Sequence, residues 1–240
     1  MQLKSHELAY AFQEEIVARL RQARVPRAKA VTEDIVPKLM QHVPSEAFDA
    51  EQMWRFGYAN FHGEVTEDSA LAMQDELLTI HLNVKKEIPI TLYMTSPGGY
   101  CEAGMALVST IQEIRRAGRV VNCHVQGTAM SMGSIILQAC DTRTIEPFAT
   151  MMIHEITDIV FDKTSGIKDY AAFLERYEAL LFSSYAQRSN KPVEFWREKV
   201  LRRDVYLTAR EAVALGLADK IRPIKPYPSK KKKSVEAPAS

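Results

Sequence analysis

Cysteine is scarce in this 240-residue chain, which contains only Cys101, Cys123 and Cys140 and no CxxC pair. Such a small, odd number of separated cysteines argues against a disulfide scaffold or a zinc site and favours a reducing compartment. Long apolar runs are missing too, because no stretch approaches the roughly 20 apolar residues of a membrane span. The first residues also lack the apolar core of a signal peptide. We therefore expect a cytoplasmic protein with no membrane partner.

A strong excess of charge is also absent, since the formal net charge is only +1. From Arg222 onward the chain holds six Lys or Arg residues and one Glu, a balance of +5, which leaves −4 for the rest. A nucleic-acid-binding domain normally carries a basic face, so this mildly acidic body argues against nucleic acid as a partner. No Walker-type glycine loop followed by Lys-Ser/Thr occurs either, so we expect no nucleotide on this chain.

The chain does contain a repeated alternation of strand-like and helix-like segments. The apolar patterns predict strands at residues 58–65, 88–94, 120–125, 144–148 and 151–154, and helices at residues 67–82, 104–116, 131–140, 168–188, 192–201 and 208–215. Thr208 is the expected N-cap of the last helix, and Gly216 its C-terminal stop. The alternation predicts an α/β fold of βαβ units with a mostly parallel sheet.

Three regions follow from the composition along the chain. Residues 1–52 are predicted to form a helical N-terminal extension, because Leu8, Phe12, Ile16 and Leu20 recur every four residues, which would place them on one helix face. That face either packs against the main body, residues 53–222, or docks onto a neighbouring subunit or partner. Residues 223–240 are rich in lysine and proline without apolar periodicity, so we expect a disordered tail.

Ser131 has the most informative surroundings, because its neighbours in the run GTAMSMGS, residues 127–134, are almost all small or apolar. This setting suits a serine at a tight strand-to-helix junction, where a substrate carbonyl can approach. The following helix start offers unpaired N–H groups and a partial positive charge. The stretch therefore has the parts of a nucleophile with half an oxyanion hole.

Two further strand ends carry residues that could meet this serine. Gly98 and Gly99 follow one apolar strand, where their N–H groups can face a ligand without obstruction, and His154 ends another. In a parallel sheet the carboxyl ends of the strands share one edge, so these residues could converge with Ser131, and Asp204 could close the set. Taken alone, however, a histidine at a strand end is more often structural.

Together these motifs resemble the proteolytic subunit of the Clp protease, a self-compartmentalising serine peptidase. The nucleophile run Gly-x-Ala-x-Ser-Met-Gly is matched at residues 127–133, and the histidine motif at residues 143–154. The Ser-Pro-Gly-Gly turn is matched at residues 96–99, and the Gly-Glu-Val strand at residues 63–65. The acid motif, Arg-Asp-x-aromatic followed by (S/T)-A-x-E-A-x-x-x-G-L-x-D, is matched from Arg203 to Asp219. The resemblance covers roughly residues 56–222.

The resemblance implies a crotonase/Clp-protease-like fold of repeated ββα units, with helices outside and an oligomeric ring of about seven subunits. It implies that Ser131 is the nucleophile, His154 the general base and Asp204 the residue that orients the imidazole. The backbone N–H groups of Gly99 and Met132 would hold the oxyanion. No metal or other cofactor is implied on this chain. ATP would belong to an AAA+ unfoldase partner that feeds unfolded polypeptides to the chamber.

The chain departs from the family pattern after the histidine, where Glu155 and Ile156 replace Gln-Pro and residues 157–167 contain only one glycine, Gly166. Both a single ring and two stacked rings therefore stay open. The long N-terminal extension and the lysine-rich tail would fit a divergent or phage-encoded member. Three other readings also stay open: a silent structural subunit of a mixed ring, a crotonase-type acyl-CoA enzyme, and a relative of the signal-peptide peptidases with a Ser–Lys dyad.

Overall fold

The computed structural model describes residues 50–225, so the predicted N-terminal helices and the tail from residue 226 lie outside the described residues. Within residues 50–225, seven strands form one sheet: β1 Tyr58–His62, β2 Ile90–Ser96, β3 Val121–Met130, β4 Thr142–Ile145, β5 Thr150–Ile153, β6 Val205–Thr208 and β7 Lys220–Ile221. A 3-10 helix, Ala50–Phe56, precedes β1, and the α-helices are α1 Glu67–Asn83, α2 Cys101–Arg116, α3 Met132–Gln138, α4 Thr164–Ser189, α5 Val193–Val200 and α6 Ala209–Ala214.

The sheet is mostly parallel, as the alternation of segments predicted. Strands β1, β2, β3, β4 and β7 lie side by side in that order and pair in parallel. Strand β5 also pairs in parallel with β3, whereas β6 pairs antiparallel with β5. The α/β fold class is therefore confirmed, and the antiparallel β6 is an addition that the apolar pattern did not predict.

Strand β3 is the element that positions the site, because its two halves have different neighbours. Its first half pairs with β4, in the register Asn122↔Thr142 to Val125↔Ile145. Its second half pairs with β5, in the register Thr128↔Thr150 to Met130↔Met152. The strand was predicted to end at Val125 but continues to Met130. Its second half therefore carries the residue after it, Ser131, alongside the end of β5.

The helices α1 and α2 cover the buried side of the first strands. Thr66 caps α1 in a reciprocal capping box with Ser69, which satisfies two amides at the helix start. Helix α1 then buries residues at helical spacing, namely Ala70, Met73, Leu77 and Ile80. Helix α2 does the same with Ala103, Gly104, Leu107, Ile111 and Ile114. These two rows and the alternating buried residues of β2 belong to one hydrophobic core, which the two helices help to enclose.

Helix α4 is long but buries only its C-terminal half, through Leu181, Phe182 and Tyr185. Tyr185 lies against Trp196 of α5, with the ring centroids 5.4 Å apart. Trp196 is fully buried. The C-terminal half of α4 is thus packed in the hydrophobic core, next to α3.

The last helix begins as the sequence predicted. The Thr208 hydroxyl accepts the Glu211 amide, and the Glu211 carboxylate accepts the Thr208 amide, which completes a capping box. Gly216 follows the helix with a φ of 76°, a conformation that glycine adopts without strain. No helix in residues 50–225 combines the length and apolar character needed to cross a membrane.

Candidate active site

Ser131 occupies a strained turn between β3 and α3. Its φ of 49° and ψ of −123° are unusual for a residue other than glycine, and such strain persists only where the surroundings enforce it. The Ser131 amide donates to the Met152 carbonyl on β5 at 2.8 Å, and the Ser131 carbonyl accepts the Ser134 amide at 2.9 Å. The sequence predicted that Ser131 begins the helix; instead it is the residue before it, and the turn presents its side chain outside the helix.

His154 lies directly beside this serine. The Nε2 atom of the imidazole is 2.7 Å from the Ser131 hydroxyl oxygen, which is within hydrogen-bond reach for proton transfer. The contact arises because β5 ends at Ile153 beside the end of β3, so the residues that follow the two strands are neighbours. The convergence of Ser131 and His154 that was predicted from the sheet edge is therefore present.

The glycine turn after β2 packs against the other side of Ser131. A side chain on Gly98 would put its Cβ only 2.6 Å from the Cβ of Ser131 and 3.0 Å from the Met132 nitrogen. Two hydrogen bonds of 2.8 Å hold the turn: the Val65 amide donates to the Gly98 carbonyl, and the Tyr100 amide donates to the Val65 carbonyl. The absence of side chains lets the turn approach the serine this closely, as expected for Gly98 and Gly99.

The two amides predicted for the oxyanion hole are available in this arrangement. The bonds across the turn involve the Gly98 carbonyl and the Tyr100 amide. Within the described part of the chain, the Gly99 amide therefore donates no hydrogen bond. Met132 is the first residue of α3, so its amide has no acceptor within the helix. Both amides lie in the turns that flank Ser131.

Asp204 is near but not bonded to the histidine. The antiparallel register pairs Ile153 with Val205, so the next pair outward along the two strands is His154 and Asp204. Asp204 is exposed, and within residues 50–225 no hydrogen bond joins it to His154. The structure therefore brings the predicted serine and histidine together, and leaves the predicted acid adjacent without a hydrogen bond to the imidazole.

Two carboxylates that were not predicted as site residues hold the segments around His154. The Glu155 carboxylate accepts the amide of Arg202 at 2.8 Å, and Arg202 has an unusual φ of 56° two residues before Asp204. The Glu178 carboxylate of α4 accepts the Ile156 amide at 3.1 Å. The contact of Glu155 spans 47 residues, and no local sequence pattern announces it.

A buried arginine connects helix α3, which follows Ser131, to the C-terminal part of the described chain. Arg143, only 3% exposed, donates to the Gln138 side chain of α3 at 2.5 Å, to the Gly216 carbonyl at 2.8 Å, and to the carboxylate of Asp219. Burial would raise the pKa of Asp219, but its hydrogen bonds and ion pair with Arg143 outweigh that effect and lower it. Arg143 thus ties α3 to the segment after α6.

Within residues 50–225, no group of three or more His, Cys, Asp or Glu side chains has the arrangement of a metal site. A comparison with protein families gives a match over residues 49–225 to the family described as Clp protease. The matched range contains Ser131, His154, Asp204 and both glycines of the turn.

Proposed function

Since the chain belongs to the Clp protease family, a family of peptidases, we propose that it is a serine endopeptidase with Ser131 as its nucleophile. The observation that carries this proposal is the 2.7 Å contact between the Ser131 hydroxyl and Nε2 of His154. The strained backbone of Ser131 supports it too, because unusual backbone conformations of this kind cluster at functional sites. The family match disfavours the crotonase-type and Ser–Lys readings of the sequence.

In the proposed first step, the Ser131 oxygen attacks the carbonyl carbon of a peptide bond while His154 removes the hydroxyl proton. The proton then passes from His154 to the nitrogen of the leaving amine, and the C–N bond breaks to give an acyl-enzyme. In the second step, His154 takes a proton from a water molecule whose oxygen attacks the carbonyl carbon of the ester. The bond between that carbon and the Ser131 oxygen then breaks, and His154 returns the proton to Ser131 as the carboxylic acid product leaves. The two steps together consume one water molecule and change no oxidation state.

The proposed roles of the other residues follow from where charge develops. The carbonyl oxygen becomes negative in the tetrahedral intermediate, and the amides of Gly99 and Met132 would donate to it. The imidazolium that forms on His154 would be stabilised by Asp204, whose carboxylate would accept a hydrogen bond from the imidazole Nδ1–H. This requires the Asp204 carboxylate to turn toward His154 in the active form, a short movement because His154 follows and Asp204 precedes the paired residues Ile153 and Val205.

We also propose that the active form is an oligomeric chamber, with a ring of about seven copies and an AAA+ unfoldase as its ATP-consuming partner. The support for this part is membership of the family. The exposed N-terminal half of α4 is compatible with contacts between copies. The substrates would be unfolded polypeptides or short peptides that can enter the chamber.

The proposal is tested with the full chain and a set of fluorogenic peptides, with Ser131→Ala as the control. We expect hydrolysis by the wild type that Ser131→Ala abolishes, together with a particle several times larger than the 27.1 kDa monomer in light scattering. A folded, assembled wild type without hydrolysis of any peptide or unfolded protein would instead indicate the silent structural subunit. A monomer in solution would contradict the chamber.

A further inference from the structure

The carbonyl oxygen of Ser131 is fixed by a buried hydrogen-bonded chain of two hydroxyl groups, those of Ser134 and Tyr185. The Ser134 hydroxyl lies 2.6 Å from that oxygen, and the Tyr185 hydroxyl lies 2.6 Å from the Ser134 hydroxyl. Ser134 is 0% exposed and Tyr185 is 2% exposed, so water does not compete for either contact. The Ser134–Tyr185 contact spans 51 residues, so these hydroxyl groups link α4 to the backbone of the proposed nucleophile.

The direction of the two hydrogen bonds follows from the number of protons. The Ser131 carbonyl can only accept, so the single hydroxyl proton of Ser134 must point at it. The Tyr185 hydroxyl must then donate to the Ser134 oxygen for both contacts to be hydrogen bonds. Burial raises the pKa of Tyr185 far above its ordinary value, which keeps the phenol protonated as a donor.

The bonds to this carbonyl also determine where the next amide points. The Ser131 carbonyl and the Met132 amide belong to one planar trans peptide, in which C=O and N–H point in opposite directions. Fixing the oxygen toward Ser134 therefore fixes the Met132 N–H toward the other side. The Met132 nitrogen adjoins the glycine turn, since a Cβ built on Gly98 would lie 3.0 Å from it. The other proposed oxyanion donor, Gly99, belongs to that turn.

We infer that Ser134 and Tyr185 are positioning residues that hold the Ser131–Met132 peptide so that the Met132 amide faces the oxyanion. This inference rests on the proposed peptidase function and extends it to two side chains that do not touch the substrate. The peptide needs such support because Ser131 has an unfavourable φ of 49°, and a relaxed turn would rotate the amide away. Two hydrogen bonds, from the Ser134 amide and its hydroxyl, oppose that rotation.

The Tyr185 side chain is itself held in place by its neighbours, so its hydroxyl group has a fixed position from which to donate to Ser134. Its ring stacks on Phe182 at a centroid distance of 5.8 Å and packs on Trp196 at 5.4 Å. The ring position is thus set by aromatic packing, independently of its hydroxyl. Replacement of Tyr185 by Phe would remove the hydrogen bond while the packing of the ring is retained.

The test measures kcat and KM for a fluorogenic peptide with Tyr185→Phe, Ser134→Ala and the double variant. The concentration of active sites in each preparation is determined by complete titration with a fluorophosphonate, and kcat is calculated per active site. Loss of an oxyanion donor costs about 100-fold or more in kcat, and we expect a misdirected donor to cost about 10-fold in each single variant, with KM unchanged. The double variant should match Ser134→Ala, because Tyr185 acts only through Ser134. The inhibition constant of a peptide boronic acid, which forms a tetrahedral adduct, should rise by the same factor as kcat/KM falls.

Two controls on α4 separate this role from general damage to the helix. Tyr177→Phe removes a phenol from a ring that stacks on Phe173, and Ser189→Ala removes a hydroxyl bonded to the Tyr185 carbonyl at 2.6 Å. Both should retain the wild-type kcat and boronate affinity. Wild-type kcat and boronate affinity in Tyr185→Phe and Ser134→Ala would overturn the positioning role and leave the peptidase proposal intact. A wild type that is inactive and unlabelled at Ser131 would overturn both.

Discussion

Nε2 of His154 lies 2.7 Å from the hydroxyl oxygen of Ser131, although the two residues are 23 positions apart in the chain. Their contact follows from one feature of the sheet: the second half of β3 leaves β4 and pairs in parallel with β5. Residues that follow two paired parallel strands emerge side by side at the same edge. The fold therefore places the His154 imidazole beside the Ser131 hydroxyl through the pairing of these two strands.

Asp204 provides the first prediction, since it is adjacent to His154 without bonding to it. If Asp204 holds the imidazole during catalysis, Asp204→Asn should lower kcat by about 10⁴-fold, because an amide favours the wrong tautomer. The measurement is steady-state kinetics on a fluorogenic peptide. Asp75→Asn, at an exposed position of α1, is the matched control and should keep full activity. Less than a tenfold loss in Asp204→Asn would mean that His154 works without this acid.

Glu155 provides the second prediction, because its carboxylate accepts the amide of Arg202 in the segment that leads to Asp204. Glu155→Ala should lower kcat about 10-fold, since a hydrogen bond to a charged group contributes roughly 1.5–3 kcal/mol and its loss frees the segment. Glu155→Gln retains an acceptor oxygen and should recover most of the rate. Equal kcat values for the Ala and Gln variants would show that the bond does not position Asp204.

Gly98 provides the third prediction, and Gly63 supplies its matched control. Both glycines have positive φ angles, 95° and 111°, so alanine at either position should cost about 1–3 kcal/mol of backbone strain in denaturant unfolding. A new Cβ at Gly63 meets nothing within 4 Å, whereas at Gly98 it would lie 2.6 Å from the Cβ of Ser131. Gly98→Ala should therefore also lose peptidase activity, and Gly63→Ala should not. Similar activities in the two variants would contradict the close approach of the turn to Ser131.

The pH dependence of stability provides the fourth prediction, through Asp219 and Arg143. The pKa of Asp219 is lowered in the folded protein, so the unfolded chain binds the proton more readily, and acid favours unfolding. The stabilisation by Asp219 is fully present above its unfolded pKa of about 3.9 and disappears as the pH falls through the lower folded value. The difference in unfolding free energy between the wild type and Asp219→Asn should therefore shrink below about pH 4. A difference independent of pH from 7 to 3 would show that the ion pair contributes no pH-linked stability.

The sequence was sufficient to predict those residues of the site whose positions depend on the order of the strands. Ser131, His154 and the glycine turn each follow an apolar strand, and parallel pairing brings such positions to one edge. Strand β6, with the sequence VYLT, was less predictable because its apolar run is only three residues long, and so short a run does not distinguish a strand from a loop. The extension of β3 through Gln126, Gly127 and Thr128 is likewise invisible, since these residues lack the apolar alternation of a strand.

Side-chain contacts between distant elements could not be predicted for a different reason. The bond between Ser134 and Tyr185 depends on how α4 packs beside α3, and the bond between Glu155 and the Arg202 amide depends on the antiparallel turn of β6 against β5. Neither serine nor glutamate at these positions differs from an ordinary surface residue in the sequence. The absence of a hydrogen bond between Asp204 and His154 could likewise not be predicted from the sequence, because it depends on the side-chain conformation in the folded protein.

The central claim is that Ser131 is the nucleophile, and fluorophosphonate labelling followed by peptide mapping tests it most directly. The reagent forms a covalent bond to the oxygen of a serine activated by a neighbouring base. We predict one adduct per chain, at Ser131, and its loss in both Ser131→Ala and His154→Ala. An adduct on another residue, or no adduct on a wild type that cleaves peptides, would contradict the claim.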